Sequence, residues 1–261
     1  MILTTAMALA WSALAGSAIA GTICTALQDV ATGAILSAEG DCSRRVTPAS
    51  TFKIAISLMG YDAGVLKDAH HPARPYDESY KAWRPEWKTT TDPTTWIAKS
   101  VVWYSQQTTT ALGAARFGGY VRDFQYGDQD VSGGLARAWL SSSLHISPME
   151  QLDFLRRMLL GRLPVSRRAV DMTAQITAMP DLIDGWTIHG KTGSGAPHTA
   201  DGGYDGGREF GWFVGWAIKD GRKVVFARLI QADGPANEPM GMRARREMLA
   251  ALPVLLSKTP R

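Results

Sequence analysis

Two cysteines in 261 residues, and no charged side chain among the first twenty, are the scarcities that most constrain this chain. Two thiols cannot build a disulfide framework. The five histidines (His70, His71, His145, His189, His198) show no ligand spacing, either among themselves or with the thiols, so no metal site is expected. No Lys/Arg cluster is interleaved with aromatics, and the net charge is only +4, so nucleic acid is not an expected partner. Apolar content of 45% with 20% charged residues is that of an ordinary globular protein, long enough for one large domain or two interleaved ones.

The uncharged start runs apolar through Met7-Ala8-Leu9-Ala10-Trp11 and ends in Ala18-Ile19-Ala20. It reads as a secretory leader over residues 1–20, cut before Gly21, although no Lys or Arg precedes the apolar core. A spanning anchor is disfavoured by the Ser, Thr and Gly within a segment of barely sufficient length. The expected location is periplasmic or secreted, without membrane attachment after cleavage. Between Cys24 and Cys42, two short apolar runs flank the turn Ala31-Thr32-Gly33, which reads as a β-hairpin. Folding back at that turn brings the thiols together, and an oxidising compartment would join them.

What is present concentrates in Pro48-Ala49-Ser50-Thr51-Phe52-Lys53. At a separation of three on a helix, the Ser50 hydroxyl and the Lys53 amine share a face. A serine hydroxyl is a poor nucleophile until a base takes its proton. A lysine with its ordinary pKa of ~10.4 is charged and cannot be that base. Burial depresses such a group by up to roughly 3–5 units. Phe52 and the run Ile54-Ala55-Ile56 supply an apolar setting. In isolation Ser-x-x-Lys describes any capped helix with a solvated lysine; the rest of the chain decides.

The helix ends near Gly60, and residues 67–93, rich in Pro, Trp and charge, read as irregular. Helical pattern resumes at Thr94 and again over 108–117, broken by Gly118-Gly119. A loop over 124–143 follows. Ser147-Pro148-Met149-Glu150 carries a capping box opening a helix to about Leu160. Another helix spans 167–179, stopped by Pro180. Strands are expected from Asp184 onward, over 186–193, 210–218 and 223–231, and a closing helix over 238–256. Strands at both ends and helices between predict an α+β fold. The N- and C-terminal segments (21–49 and about 181–261) form one antiparallel sheet flanked by helices, with a mainly helical part (about 50–180) inserted.

The set Ser50-x-x-Lys53, Ser100-Val101-Val102, Tyr126-Gly127-Asp128, Trp139 and Lys191-Thr192-Gly193, in this order, resembles a class D (oxacillinase-type) serine β-lactamase over essentially residues 22–256. Trp103-Tyr104-Ser105-Gln106, Ser132-Gly133-Gly134 and Trp212-Phe213-Val214-Gly215-Trp216 are similar to that family too. The resemblance implies hydrolysis of β-lactam antibiotics through an acyl-enzyme on Ser50, with a monomer or homodimer as the unit. Opening a cyclic amide this way calls for a nucleophile, a base, a proton donor to the leaving nitrogen and an oxyanion hole. Ser100, assisted by the charge of Lys191, is the expected proton relay. Lys191, Thr192 and Gly193 suit a substrate carboxylate and its close approach.

The family further implies an oxyanion hole from the backbone N–H groups of Ser50 and Ser194. Arg243 is expected to hold the substrate carboxylate, and Tyr126 to lie at the substrate. No other cofactor is implied than a CO2-derived carbamate on Lys53, acting as base in both half-reactions. Trp139 would donate its indole N–H to that carbamate, while Val102 and Leu140 control water access. The chain departs from the family's Tyr-Gly-Asn at Asp128, which puts a carboxylate where an amide is usual. A penicillin-binding transpeptidase or carboxypeptidase, or a penicillin-sensing receptor ectodomain, shares part of this logic; an α/β-hydrolase lacks its Gly-x-Ser-x-Gly elbow here. The tryptophans Trp83, Trp87 and Trp96 are expected to be structural.

Overall fold

The computed structural model describes residues 19–257. The expected leader lies almost entirely outside them. Six strands form one antiparallel sheet: β1 (Ile19–Asp29), β2 (Ile35–Gly40), β3 (Ala178–Ile183), β4 (Trp186–Gly195), β5 (Phe210–Lys219) and β6 (Arg222–Asp233), in the order β2-β1-β6-β5-β4-β3. The fold is therefore α+β, its sheet drawn from the two ends of the chain. The β1–β2 hairpin aligns Cys24 with Gly40, and Cys24 is bonded to Cys42.

Strand alternation gives the sheet two apolar faces. Trp212, Val214, Trp216, Val225 and Leu229 face the helices drawn from the middle of the chain. Phe213, Phe226 and Ile230 face the closing helix α7 (Met240–Ser257), meeting Met240, Ala244, Met248 and Leu252. The middle of the chain supplies α1 (Lys53–Asp62), α2 (Pro93–Lys99), α3 (Val102–Leu112), α4 (Ala114–Asp123), α5 (Pro148–Leu159) and α6 (Arg167–Thr177). The capping box forms: the Ser147 hydroxyl accepts from Glu150 N–H while the Glu150 carboxylate accepts from Ser147 N–H. Among the described residues no helix is long and apolar enough to cross a membrane.

Three expectations about elements are corrected. The break between the two mid-chain helices falls at Gly113, whose φ of 78° ends α3, while Gly118 and Gly119 lie inside α4. Packing of Phe117 and Val121 into the core outweighs the cost of about 1 kcal/mol that each interior glycine carries. The helix expected to reach residue 179 stops at Thr177, because β3 begins there. Pro180 marks not a loop but an edge strand, where a missing N–H costs no ladder bond.

Candidate active site

Ser50 sits in a single 3-10 turn, Ala49–Phe52, that runs directly into α1. Three residues per turn eclipse positions i and i+3. Lys53 Nζ consequently lies 3.2 Å from Ser50 Oγ. Lys53 is fully buried, enclosed with Phe52, Ile54, Ala55 and Ile56 in the helical core. Burial is the main reason its pKa falls well below the usual lysine value, and repulsion from Lys191 adds to the fall. Both effects favour the unprotonated form of the amine beside the hydroxyl.

An aromatic wall stands behind this pair. Phe52 stacks on Trp139 at 5.6 Å between centroids and meets Tyr126 edge-on at 5.0 Å and Phe117 at 6.1 Å. Trp139 is sealed from solvent, yet its indole N–H has no hydrogen-bond partner among the described residues. A buried donor left unpaired costs about 1–3 kcal/mol. Val102 is buried at the start of α3, and the partly buried Leu140 lines the cleft described below.

The second wall is β4, whose outer half extends past its pairing with β3. Gly193 lies so close to the catalytic turn that a Cβ there would come within 2.9 Å of Pro48 O and 3.2 Å of Ser50 N. Only glycine lets this strand pass the backbone of Ser50. Lys191 is buried, with Nζ donating to Thr192 O at 3.1 Å and to Thr192 Oγ1 at 3.3 Å. Burial, with repulsion from Arg245 and Arg84, lowers its pKa to about 7. Ser194 Oγ accepts from Gly241 N–H at 2.9 Å, fastening β4 to the start of α7.

Ser100 caps α2 in a left-handed conformation with φ 58°, and Ala49, just before the nucleophile, has φ 49°. Each such non-glycine residue costs about 1–2 kcal/mol. Ser100 N–H donates to Ile97 O and Val101 N–H to Trp96 O, which holds the cap in place. The Ser100 hydroxyl makes no hydrogen bond among the described residues and is free to meet a ligand.

A cleft of about 950 Å³ opens over Ala49, Leu140, Ser141, Ser194 and Gly195. Trp83, 52% exposed, and Tyr204, 58% exposed, stand on its rim. Trp83 is thus a cleft residue rather than the structural one expected. Nothing in the glycine-rich segment around Tyr204 signalled its position.

Two site expectations are corrected. Tyr126 is 1% exposed; its hydroxyl donates to Gln151 Oε1 at 3.4 Å, and Gln151 Nε2 donates to Thr51 Oγ1 at 3.0 Å. It braces the turn that carries Ser50 from behind and does not reach the cleft. Arg243 is placed on the β6 side of α7, where its Nε meets Glu247 at 2.9 Å. Glu247 also accepts from Arg228 of β6, which reaches Thr25 of β1. Arg245 is the arginine on the β4 side, sharing a small pocket with Lys191, Thr192 and Met242 and making no ion pair among the described residues. The departure at Asp128 is also explained. Its carboxylate accepts from His145 N–H at 2.9 Å and from Asp130 N–H at 3.2 Å, so it fastens a loop and exerts its field on Arg45.

A serine and a buried lysine on one helical turn lie against the strand that carries Lys191, and residues 23–252 match the penicillin binding protein transpeptidase domain family. The chain is 43% identical to "Beta-lactamase OXA-9" of Klebsiella pneumoniae over 89% of its own length and 88% of that protein's. It is 35% identical to "Beta-lactamase OXA-1" of Escherichia coli, covering 89% and 84% respectively. The crystal structure of the OXA-427 class D β-lactamase superposes with a TM-score of 0.85 at 48% identity, covering 90% of this chain and 98% of that one. Within that wider family, this chain belongs to the class D serine β-lactamases.

Proposed function

We propose that the protein hydrolyses β-lactam antibiotics through an acyl-enzyme on Ser50. The observation that carries this reading is the buried Lys53 amine, its pKa well below the ordinary lysine value, 3.2 Å from the Ser50 hydroxyl. Relatives named β-lactamases over nearly the full chain support the substrate class.

Ser50 Oγ attacks the β-lactam carbonyl as its proton leaves toward the Lys53 terminus. The carbonyl oxygen, gaining charge, lies against the backbone N–H groups of Ser50 and Ser194. The first N–H groups of a helical turn have no partner within it, which leaves that of Ser50 available. Opening of the ring breaks the C–N bond and frees a nitrogen that takes a proton from the Ser100 hydroxyl, which regains one from the protonated Lys53 terminus, the charge of Lys191 assisting the transfer. The substrate carboxylate is held by Thr192 and Lys191, with Arg245 adding its charge from α7.

Acylation and deacylation both call for a base, the first to take the Ser50 proton and the second to activate water. The unpaired, buried Trp139 N–H, on a ring stacked against Phe52 next to Lys53, and a lysine pKa lowered by burial fit a carbamate formed from CO2 on Lys53. When present, that group supplies a carboxylate-like base for water. Trp139 then finds its acceptor, and Val102 and Leu140 limit access to the pocket. Export to an oxidising compartment is supported by the Cys24–Cys42 bond.

Steady-state turnover of a penicillin, read beside the intact mass of the protein, tests the whole scheme. Many turnovers with no lasting adduct are expected, and Ser50→Ala abolishes both turnover and transient adduct. A persistent adduct without turnover would instead favour a penicillin-sensing or cell-wall role.

A further inference from the structure

Between β4 and β5 the chain runs out along the cleft rim as a loop that is largely held by its own bonds. Thr199 N–H donates to Gly203 O, Gly202 N–H to Thr199 O, and Asp205 N–H to Pro197 O. His198 adds a bond that leaves the loop: Nε2 lies 2.6 Å from the backbone carbonyl of Ser141, in the segment that also carries Leu140 and Trp139. Its Nδ1 lies 3.1 Å from Gly202 O, and its ring stacks on Tyr204 at 5.1 Å between centroids. Carbonyl oxygens only accept hydrogen bonds. A neutral imidazole carries a single N–H, so both bonds together require the doubly protonated ring.

We propose that His198, in its imidazolium form, is a positioning residue that pins the β4–β5 loop to Ser141 and thereby fixes Tyr204 as a wall for the substrate's side chain. The proposal rests on the reading of this cleft as the β-lactam site. Tyr204 lines the cleft beside Ser194 and Gly195, and it is exposed because one face of its ring is kept against His198 while the rest projects into solvent.

Arg137, from the segment that carries Ser141, opposes a second cation. Asp201 is turned inward to Thr199 and Gly203, and Asp205 to Gly207. The two carbonyl bonds outweigh Arg137 and hold the proton more tightly than in free histidine. A group whose folded pKa is raised contributes below that pKa and stops contributing as pH rises through it. The clasp is therefore closed in mildly acidic solution and opens toward alkaline pH.

The test uses the full-length Ser50→Ala protein, so that binding is read without turnover, together with His198→Ala and His198→Gln in that background. Dissociation constants are measured between about pH 5.5 and 8.5, bracketing the histidine range, for a penicillin with an aryl side chain and for the same nucleus lacking it. His198→Ala is expected to weaken aryl-penicillin binding by about two- to fivefold at the acid end, the range an exposed charge-assisted contact supports. The difference should vanish at the alkaline end and be absent for the nucleus without the aryl group. His198→Gln, which keeps one donor but cannot titrate, should bind with no histidine-dependent limb. Lys191 titrates in every variant, so its contribution cancels in the ratios. Imidazole NMR supplies a readout independent of substrate: both ring nitrogens protonated at about pH 6 and titrating above the free-histidine value of ~6.5. A singly protonated ring there, or a His198→Ala effect independent of pH or of the aryl group, overturns the proposal. Hydrolysis by Ser50→Ala would overturn the assignment of the nucleophile, while the ring titration would still judge the clasp.

Discussion

Lys53 and Lys191 are both sealed from water, but by different materials. Helices enclose Lys53: its neighbours are aliphatic and aromatic side chains, and its hydrogen-bond partner among the described residues is the Ser50 hydroxyl. Lys191 stands on a strand, where a backbone carbonyl and the Thr192 hydroxyl accept from its amine, while Arg245 and Arg84 repel its charge. The helical wall offers nothing that would favour an ammonium ion, so Lys53 loses its proton far below the normal range. On the strand side, burial and the repulsion of Arg245 and Arg84 lower the pKa of Lys191 to about 7. One fold therefore presents a base and a near-neutral proton and anion partner across a single nucleophile. Burial lowers both, and the charges around each lysine add to the fall: Lys191 for Lys53, Arg245 and Arg84 for Lys191.

The largest effect should come from removing the helical lysine. Lys53→Met is expected to lower penicillin turnover by about 10³-fold or more, since the general base disappears along with any carbamate. The protein should nonetheless become more stable. A lysine whose folded pKa lies below its unfolded value of ~10.4 costs stability at every pH below that value, and the cost grows as pH falls toward the folded pKa. Thermal unfolding in CO2-free buffer should show Lys53→Met above wild type near neutrality, with the gap narrowing toward about pH 10. A variant melting lower than wild type would mean that the buried amine is not held uncharged.

A smaller, opposite signature is expected on the strand side. The cation at Lys191 is present below about pH 7 and fades above it. Lys191→Met should therefore raise KM about tenfold at pH 6, the worth of one partly buried charged hydrogen bond, and less at pH 8. Measured KM–pH profiles of both proteins check this. Curves of the same shape would place the titrating group elsewhere.

How much of this contrast was legible in the chain depends on how local each feature is. The Ser50–Lys53 pair was readable because three residues on one turn fix it, whether the turn is α or 3-10. The capping box at Ser147 and the Cys24–Cys42 hairpin are local as well. Strand β3 was hidden because Met179-Pro180 ends a helical pattern, and only the neighbouring β4 explains why a proline is harmless there. Tyr126 adjoins a motif associated with the site, yet its hydroxyl is spent on Gln151 and thence Thr51, a partnership spanning distant segments. The cleft position of Trp83 and Tyr204 depends on loops whose sequences carry no periodic signal.

The smallest predicted effect separates two arginines that the sequence could not. Arg243, Arg245 and Arg246 occur within four consecutive positions, and successive helical residues differ by about 100° of rotation, so only the phase of α7 decides which one faces β4. That phase is fixed by contacts without tolerance. A Cβ on Gly241 would come within 2.5 Å of Gly193 O, and one on Gly211 within 2.1 Å of Met240 O, so α7 lies directly on the strands at its first turn. With Gly241 and Ala244 against the sheet, Arg245 follows on the β4 side and Arg243 turns toward Glu247 and Arg228. Arg245→Ala should raise KM for penicillins severalfold and also raise the pKa of Lys191, because a cation that repels it has gone. The alkaline limb of the KM profile should accordingly move upward in pH. Arg243→Ala should leave that limb in place and cost only about 0.2–1 kcal/mol of stability, as a partly exposed ion pair does. Should Arg243→Ala move the KM limb while Arg245→Ala does not, the helix phase described here would be wrong, and with it the division of labour between the two faces of α7.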